Sequence, residues 1–285
     1  MRHLVRSSTK LQLGLVLIGL ILALALSAPL ITPLLIGDAG PRDYGVAPVM
    51  ELPSLEHPLG TDHFGHDLLA LLVHSLGNSL LIGGLAGVIA TAIGIVVGFT
   101  AGYKGGRLDS LLRSTTDMVL VIPTLPLLLI LTASVRVVDV FALAFVLAIF
   151  GWPHAARAIR AQVLSLRERP YVDLARLTDE NDVEMIFTEL VPNLLPYLGL
   201  GLASSVVGAI LAETGLQLIG FGPGGFSTLG SMINQALGAG MITQGRIDTI
   251  IAPAALLVLL FLALNLINMG LEEIYNPRLR GVTAD

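Results

Sequence analysis

The chain has 285 residues, 54% hydrophobic and only 13% charged, the balance of a protein whose solvent is lipid rather than water. Its formal charge of -5 carries no basic nucleic-acid footprint, which excludes a nucleic-acid partner, and the absence of cysteine excludes disulfides and thiolate metal sites. Catalytic patterns such as HExxH and GxSxG are also missing, so no catalytic residue is expected and the chain does not read as an enzyme.

A membrane-spanning helix needs roughly 20 mostly apolar residues. The first such stretch runs from Leu11 to Leu35 behind a basic N-terminus, residues 1–10, and it is expected to be an uncleaved first span because no small-residue cleavage site follows it. Residues 36–78 form a Pro- and Gly-rich extracytoplasmic segment whose last part, Asp67 to Leu76, suggests a short amphipathic helix on the outer surface. Four histidines lie here, and His63 and His66, beside Asp62 and Asp67, offer part of a divalent-metal ligand set. The set is incomplete, so a hydrogen-bonded loop is the preferred reading and no metal site is assigned.

Residues 79–271 are expected to form the membrane core, made of five further spans. The second span, Ser79 to Gly102, carries Gly83, Gly87, Gly94, Gly98 and Gly102, a small-residue stripe that lets helix backbones approach closely in lipid. Close packing inside the subunit is the favoured role, with contact to a second membrane subunit as the alternative. The third span, Ser110 to Ala133, contains Pro123 and Pro126, and Arg113 stands four residues before Asp117, which predicts a local ion pair. The fourth span, Val137 to Ala156, is expected to end at Pro153, with Trp152 and His154 as interfacial anchors.

A polar segment, residues 157–192, then interrupts the apolar pattern, with seven acids between Arg167 and Pro192. Pro170 suits the first position of a helix, Thr178 to Asp182 (TDEND) suits a turn, and Val183 to Leu190 suits a second helix. The fifth span, Asn193 to Gly220, places the ionisable Glu213 among apolar residues, where such groups usually face a cavity or a partner. The sixth, Thr249 to Leu271, carries Asn265 and Asn268 as candidate interhelical hydrogen-bond partners, and residues 272–285 form a tail. Long apolar runs without strand alternation must satisfy their backbones internally, so an all-α integral membrane protein of six transmembrane helices is predicted. Thirteen of the 16 cations then fall on one side, which places both termini in the cytoplasm.

The segment Tyr171, Val172, Asp173, Leu174, Ala175, Arg176, Leu177, Thr178, Asp179, ending at Val191 and Pro192, resembles the cytoplasmic coupling loop (EAA loop) of binding-protein-dependent ABC importer permeases. Asp173, Leu174 and Ala175 stand at the Glu-Ala-Ala triplet and Asp179 at the glycine, with spacing kept and three residue types changed. Leu59 to Leu69 (LGTDHFGHDLL), Asp117 to Pro123, Glu213 to Gly222 and the tail Asn276 to Arg280 extend the resemblance to nearly the whole chain. They narrow it to the dipeptide, oligopeptide and nickel subfamily, in the branch of its second, C-type subunit.

The resemblance implies a type I ABC importer permease fold in a prokaryotic plasma membrane. It implies four partners: a homologous second permease, two cytoplasmic ABC ATPases that bind ATP and Mg, and an extracytoplasmic solute-binding protein. It also implies that Tyr171 to Asp179 dock on the ATPase. The substrate would be a peptide, with an oligosaccharide or a nickel chelate as alternatives. No cofactor is expected in this chain itself, because its only lysines, Lys10 and Lys104, lie outside any GxxxxGK[ST] phosphate loop. Two other readings are a secondary transporter using Glu213 or Asp117 as an ion-coupling site, and a non-transporting membrane scaffold. Asp117 and Glu213 are the candidates for the translocation path or its gate.

Overall fold

The computed structural model describes residues 8–134, 139–169, 191–222 and 225–275. Among them the only extended pairing is an isolated bridge between Thr61 and Asp67, and the rest is helix and connecting loop. Five helices are long and apolar enough to cross a membrane, and a bent pair makes a sixth crossing when counted as one span.

The first apolar stretch is two helices rather than one. α1 (Thr9–Leu26) stops at Ser27, whose hydroxyl donates to Leu24 O at 2.7 Å, and α2 (Ala28–Ile36) starts afresh with a proline in its first turn. Pro29 has no amide hydrogen to continue the ladder, which accounts for the restart at that position.

α3 (Leu68–Lys104) is 37 residues long, roughly 55 Å at 1.5 Å per residue, well beyond the hydrocarbon thickness of a bilayer. The separate amphipathic surface helix expected before Ser79 does not form. Asp67 caps the first turn by accepting from Ala70 N at 2.8 Å, and the helix runs unbroken from there. The surplus length is buried rather than exposed, because Leu71, Leu72 and Leu76 pack in one cluster with Ile21 of α1 and with Leu229, Met232, Leu257 and Leu260 from later in the chain. At the other end Gly105 and Gly106, both with positive φ, turn the chain into α4.

The third span is broken. α4 (Gly106–Val121) and α5 (Thr124–Ser134) meet at 77°. Pro123 forces Ile122 into an extended conformation (φ -73°, ψ 124°), which ends α4 at that residue. α6 (Val140–Arg167) by contrast passes through Pro153, which lies buried inside it, so the fourth span continues 11 residues past Ala156. Trp152 is accordingly half-buried against the core instead of anchoring a helix end. α7 (Val191–Leu218), α8 (Leu229–Gly238) and α9 (Asp248–Tyr275) complete the fold.

The glycine stripe of α3 packs within the subunit. A methyl group at Gly87 would lie 2.5 Å from Val206 Cγ2 and 2.8 Å from Val206 N on α7; one at Gly94 would lie 2.5 Å from Ala155 Cβ on α6. Gly98 and Gly102 face Ala156, Ile159 and Val163 of α6 in the same way. α3 is therefore the central helix, with α7 on its first half and α6 on its second. α1 and α9 close on one another through Gly14 and Gly270, and Ser8 and Lys10 of α1 both bond Glu273.

Candidate functional site

A cavity of about 540 Å³ opens where α3, α5, α6 and α7 converge. α7 contributes Tyr197, Leu200, Gly201, Ser204, Ser205, Gly208, Ala209 and Ala212, a face made mostly of small residues. α6 adds Leu147, Phe150, Gly151 and His154, α3 adds Ala86, Ala90 and Thr91, and the turn after Pro123 adds Thr124 and Leu128. His154, expected at an interface, instead belongs to this wall. Among the described residues its lining contains no carboxylate, lysine or arginine. Thr91 Oγ1 is buried there without a hydrogen-bond partner among the described residues. Asn268 Nδ2 reaches Ser204 Oγ at 3.4 Å across α9 and α7, whereas Asn265 donates to Phe261 O of its own helix.

Neither Glu213 nor Asp117 lines that cavity, and the two are not brought together. Glu213 is fully buried on α7. Thr228, Thr214, Ser79 and Gln217 supply the polar neighbours of its carboxyl, and Oε1 has no partner at hydrogen-bonding distance among the described residues. The same region is stitched by Ser75 to Ser227 (2.9 Å), Asn78 to Ser227 O (2.8 Å) and Leu229 N to Ser79 Oγ (3.2 Å). Thr228 caps α8 in a reciprocal pair with Ser231. Glu213 thus sits under the junction of α3 and the α7–α8 loop.

Asp117 is half-exposed at the other end of α3. Its principal partner is Arg157 of α6, at 2.5 Å, with Arg113 of its own helix at 3.6 Å. The local pair expected from the i, i+4 spacing is therefore the weaker of its two contacts; a partner 40 residues away leaves no mark in a single sequence. Beside it Arg160 grips Asp109 with two hydrogen bonds of 2.5 and 2.6 Å, a bidentate pair that the sequence reading missed.

The LGTDHFGHDLL stretch is a closed knot. Gly60 and Gly65 both have φ near +76°, and a side chain at Gly60 would meet Glu51 O at 2.5 Å. Asp62 accepts from the backbones of Phe64 and His66 at 2.8 and 2.9 Å and lies 2.7 Å from His66 Nδ1. Burial pushes the Asp62 carboxyl up, but the His66 contacts outweigh it and hold the carboxyl below its ordinary range. His57 Nδ1 lies 2.7 Å from Asp67, and buried Arg246 ties the knot to α9 by donating to Thr61 O and Asp248. Both ring nitrogens of His66 are engaged, by Asp62 and by Arg42 O at 3.2 Å, and no group of three metal-ligating side chains occurs among the described residues.

The expected coupling residues, Tyr171, Val172, Asp173, Leu174, Ala175, Arg176, Thr178 and Asp179, lie outside the described residues. What precedes them is described: Arg167, at the end of α6, donates to Gly102 O of α3 at 3.0 Å.

These features define a multi-pass helical membrane protein with a cavity between its core helices. Residues 94–281 match the family of binding-protein-dependent transport system inner membrane components, and the chain belongs to that family. It is 33% identical to the oligopeptide transport system permease protein OppC of Mycobacterium tuberculosis (strain ATCC 25618 / H37Rv), over 92% of this chain and 89% of that one. It is 28% identical to OppC of Bacillus subtilis (strain 168), over 96% and 88% of the two chains. Among solved structures it resembles a chain of the MetNI methionine ABC transporter in an inward-facing form, with a TM-score of 0.58 at 18% identity, covering 72% of this chain and 96% of that one. The protein is thus an importer permease in fold and family.

Proposed function

We propose that this permease imports peptides together with a homologous second permease, powered by two separate ATPases that bind ATP and Mg, and supplied by an extracytoplasmic binding protein. The observation that carries the reading is the cavity between α3, α5, α6 and α7. Its wall is apolar with scattered hydroxyls and, among the described residues, holds no fixed carboxylate, lysine or arginine. Such a surface passes side chains of varied chemistry without gripping any one of them, which suits peptides better than a metal chelate needing defined ligands. The relatives named as oligopeptide permeases support the same substrate class.

Both termini then lie in the cytoplasm, an orientation supported by the distribution of Arg and Lys when the bent pair is counted as a sixth crossing. The coupling segment from Tyr171 to Asp179 then docks on the ATPase. Arg167 ties α6 to α3 immediately before that segment, and the Arg157–Asp117 and Arg160–Asp109 pairs tie α6 to α4. A displacement of the segment is therefore shared by three core helices as one body. ATPase closure need only favour one of two membrane arrangements, in proportion to its differential affinity for them.

The test is uptake of a labelled peptide into vesicles. Uptake is expected only when both permeases, the ATPases, the binding protein and ATP are present. It should be lost when residues 169–178 are deleted while the complex still assembles. Transport by this chain alone without ATP would establish a secondary transporter, and undiminished uptake after the deletion would overturn the coupling role.

A further inference from the structure

The geometry points to a binding site for an anionic phospholipid headgroup between α3, α4 and α6, in the leaflet on the side of Lys104 and Arg167. A second pocket, of about 420 Å³, lies there, floored by the apolar side chains of Val97, Ala101 and Leu112 and rimmed by Arg113, Arg157 and Asp117. The charges do not balance. Arg160 is matched by Asp109 in its bidentate pair, but Arg113 and Arg157 share the single carboxylate of Asp117. Among the described residues one guanidinium charge is left over, and it is accessible, because the Arg113 and Arg157 side chains are 65% and 60% exposed.

Location narrows the ligand. The pocket opens two turns short of Lys104, where the apolar part of α3 ends. α4 also presents Leu111, Met118 and Val121 to its surroundings, an apolar face for acyl chains beside the basic rim. A surplus cation above an apolar floor at the edge of a bilayer fits an amphiphilic phosphate rather than a free anion. Basic pockets between spanning helices take lipid phosphates by charge and forked hydrogen bonding. The inference requires only that the chain spans a membrane and is independent of the transport reading.

The experiment is native mass spectrometry of the full-length chain, titrated with phosphatidylglycerol or with phosphatidylcholine of the same acyl chains. Phosphatidylglycerol should be retained preferentially. Arg113→Gln should weaken its retention about fivefold, the worth of one basic side chain near an anionic surface, and Arg113→Lys should restore part of it. Asp117→Asn, which removes the competing carboxylate, should strengthen retention, while phosphatidylcholine is unaffected by any of the three. Equal retention of the two lipids, or no opposite shift between the Gln and Asn variants, would overturn the site. Displacement of the lipid by inorganic phosphate would show a free-anion site instead. Loss of the lipid when the second permease is bound would show that the pocket belongs to the subunit interface; both outcomes contradict the inference.

Discussion

Glu213 is a fully buried ionisable residue of the apolar fifth span. Its carboxyl sits fully buried against hydroxyls of α3 and α8 rather than in the cavity. Glu213→Ala would leave the Thr228 and Ser79 hydroxyls facing an empty space, and unmet buried donors cost about 1–3 kcal/mol. The variant should unfold at lower temperature in detergent, whereas Glu213→Gln, which keeps shape and a hydrogen-bonding head, should lose less than about half as much. Equal losses in the two would mean that charge, not hydrogen bonding, holds the junction. Asp62 gives a pH-dependent counterpart in the outer knot. Its carboxyl is held below the ordinary range in the folded chain, so its contribution is complete above an unfolded carboxylate pKa of about 3.9 and is lost as the pH falls through the lower folded value. Amide exchange at residues 60–66 should therefore accelerate only in that acid window, and Asp62→Asn should abolish the acid step.

At the scale of elements, α3 organises the fold because its glycines let two helices approach on successive halves. Gly87→Leu would drive a side chain into Val206, including its backbone nitrogen, and overpacking of this kind costs about 1–3 kcal/mol. Gly84, three residues earlier, faces open space, so Gly84→Ala should be neutral or stabilising by up to about 1 kcal/mol. A thermal-shift comparison of the two variants separates a packing stripe from mere glycine richness. The glycine pattern was readable from the sequence because period-four small residues in an apolar helix have few other uses. Helix breaks were less readable. Pro123 bends the chain by 77° while Pro153 does not end its helix, and the difference lies in what packs around each, which composition does not reveal. The continuous start of α3 was also hidden. The stretch from Asp67 to Leu76 suggests an amphipathic surface helix in the sequence, yet Ser75 within it is buried against Ser227, 152 residues away.

In the whole molecule, the demand of lipid that every backbone group be satisfied internally favours long apolar helices, so the five spans and the bent pair that makes a sixth were legible from hydropathy. The cavity was not, because Ser204, Ser205, Thr91 and His154 acquire a common purpose only when α3, α6 and α7 are packed together. The fold leaves α6 joined to α3 and α4 shortly before the proposed coupling segment, and the proposed function depends on that segment being driven from outside the chain. Because the chain has no cysteine, a single one introduced at Val172 or Ala175 is a unique probe. Cross-linking from either position in intact membranes should capture an ATPase subunit, with a yield that changes when ATP is added. Failure of both positions to capture an ATPase, in membranes where peptide uptake is active, would contradict the account.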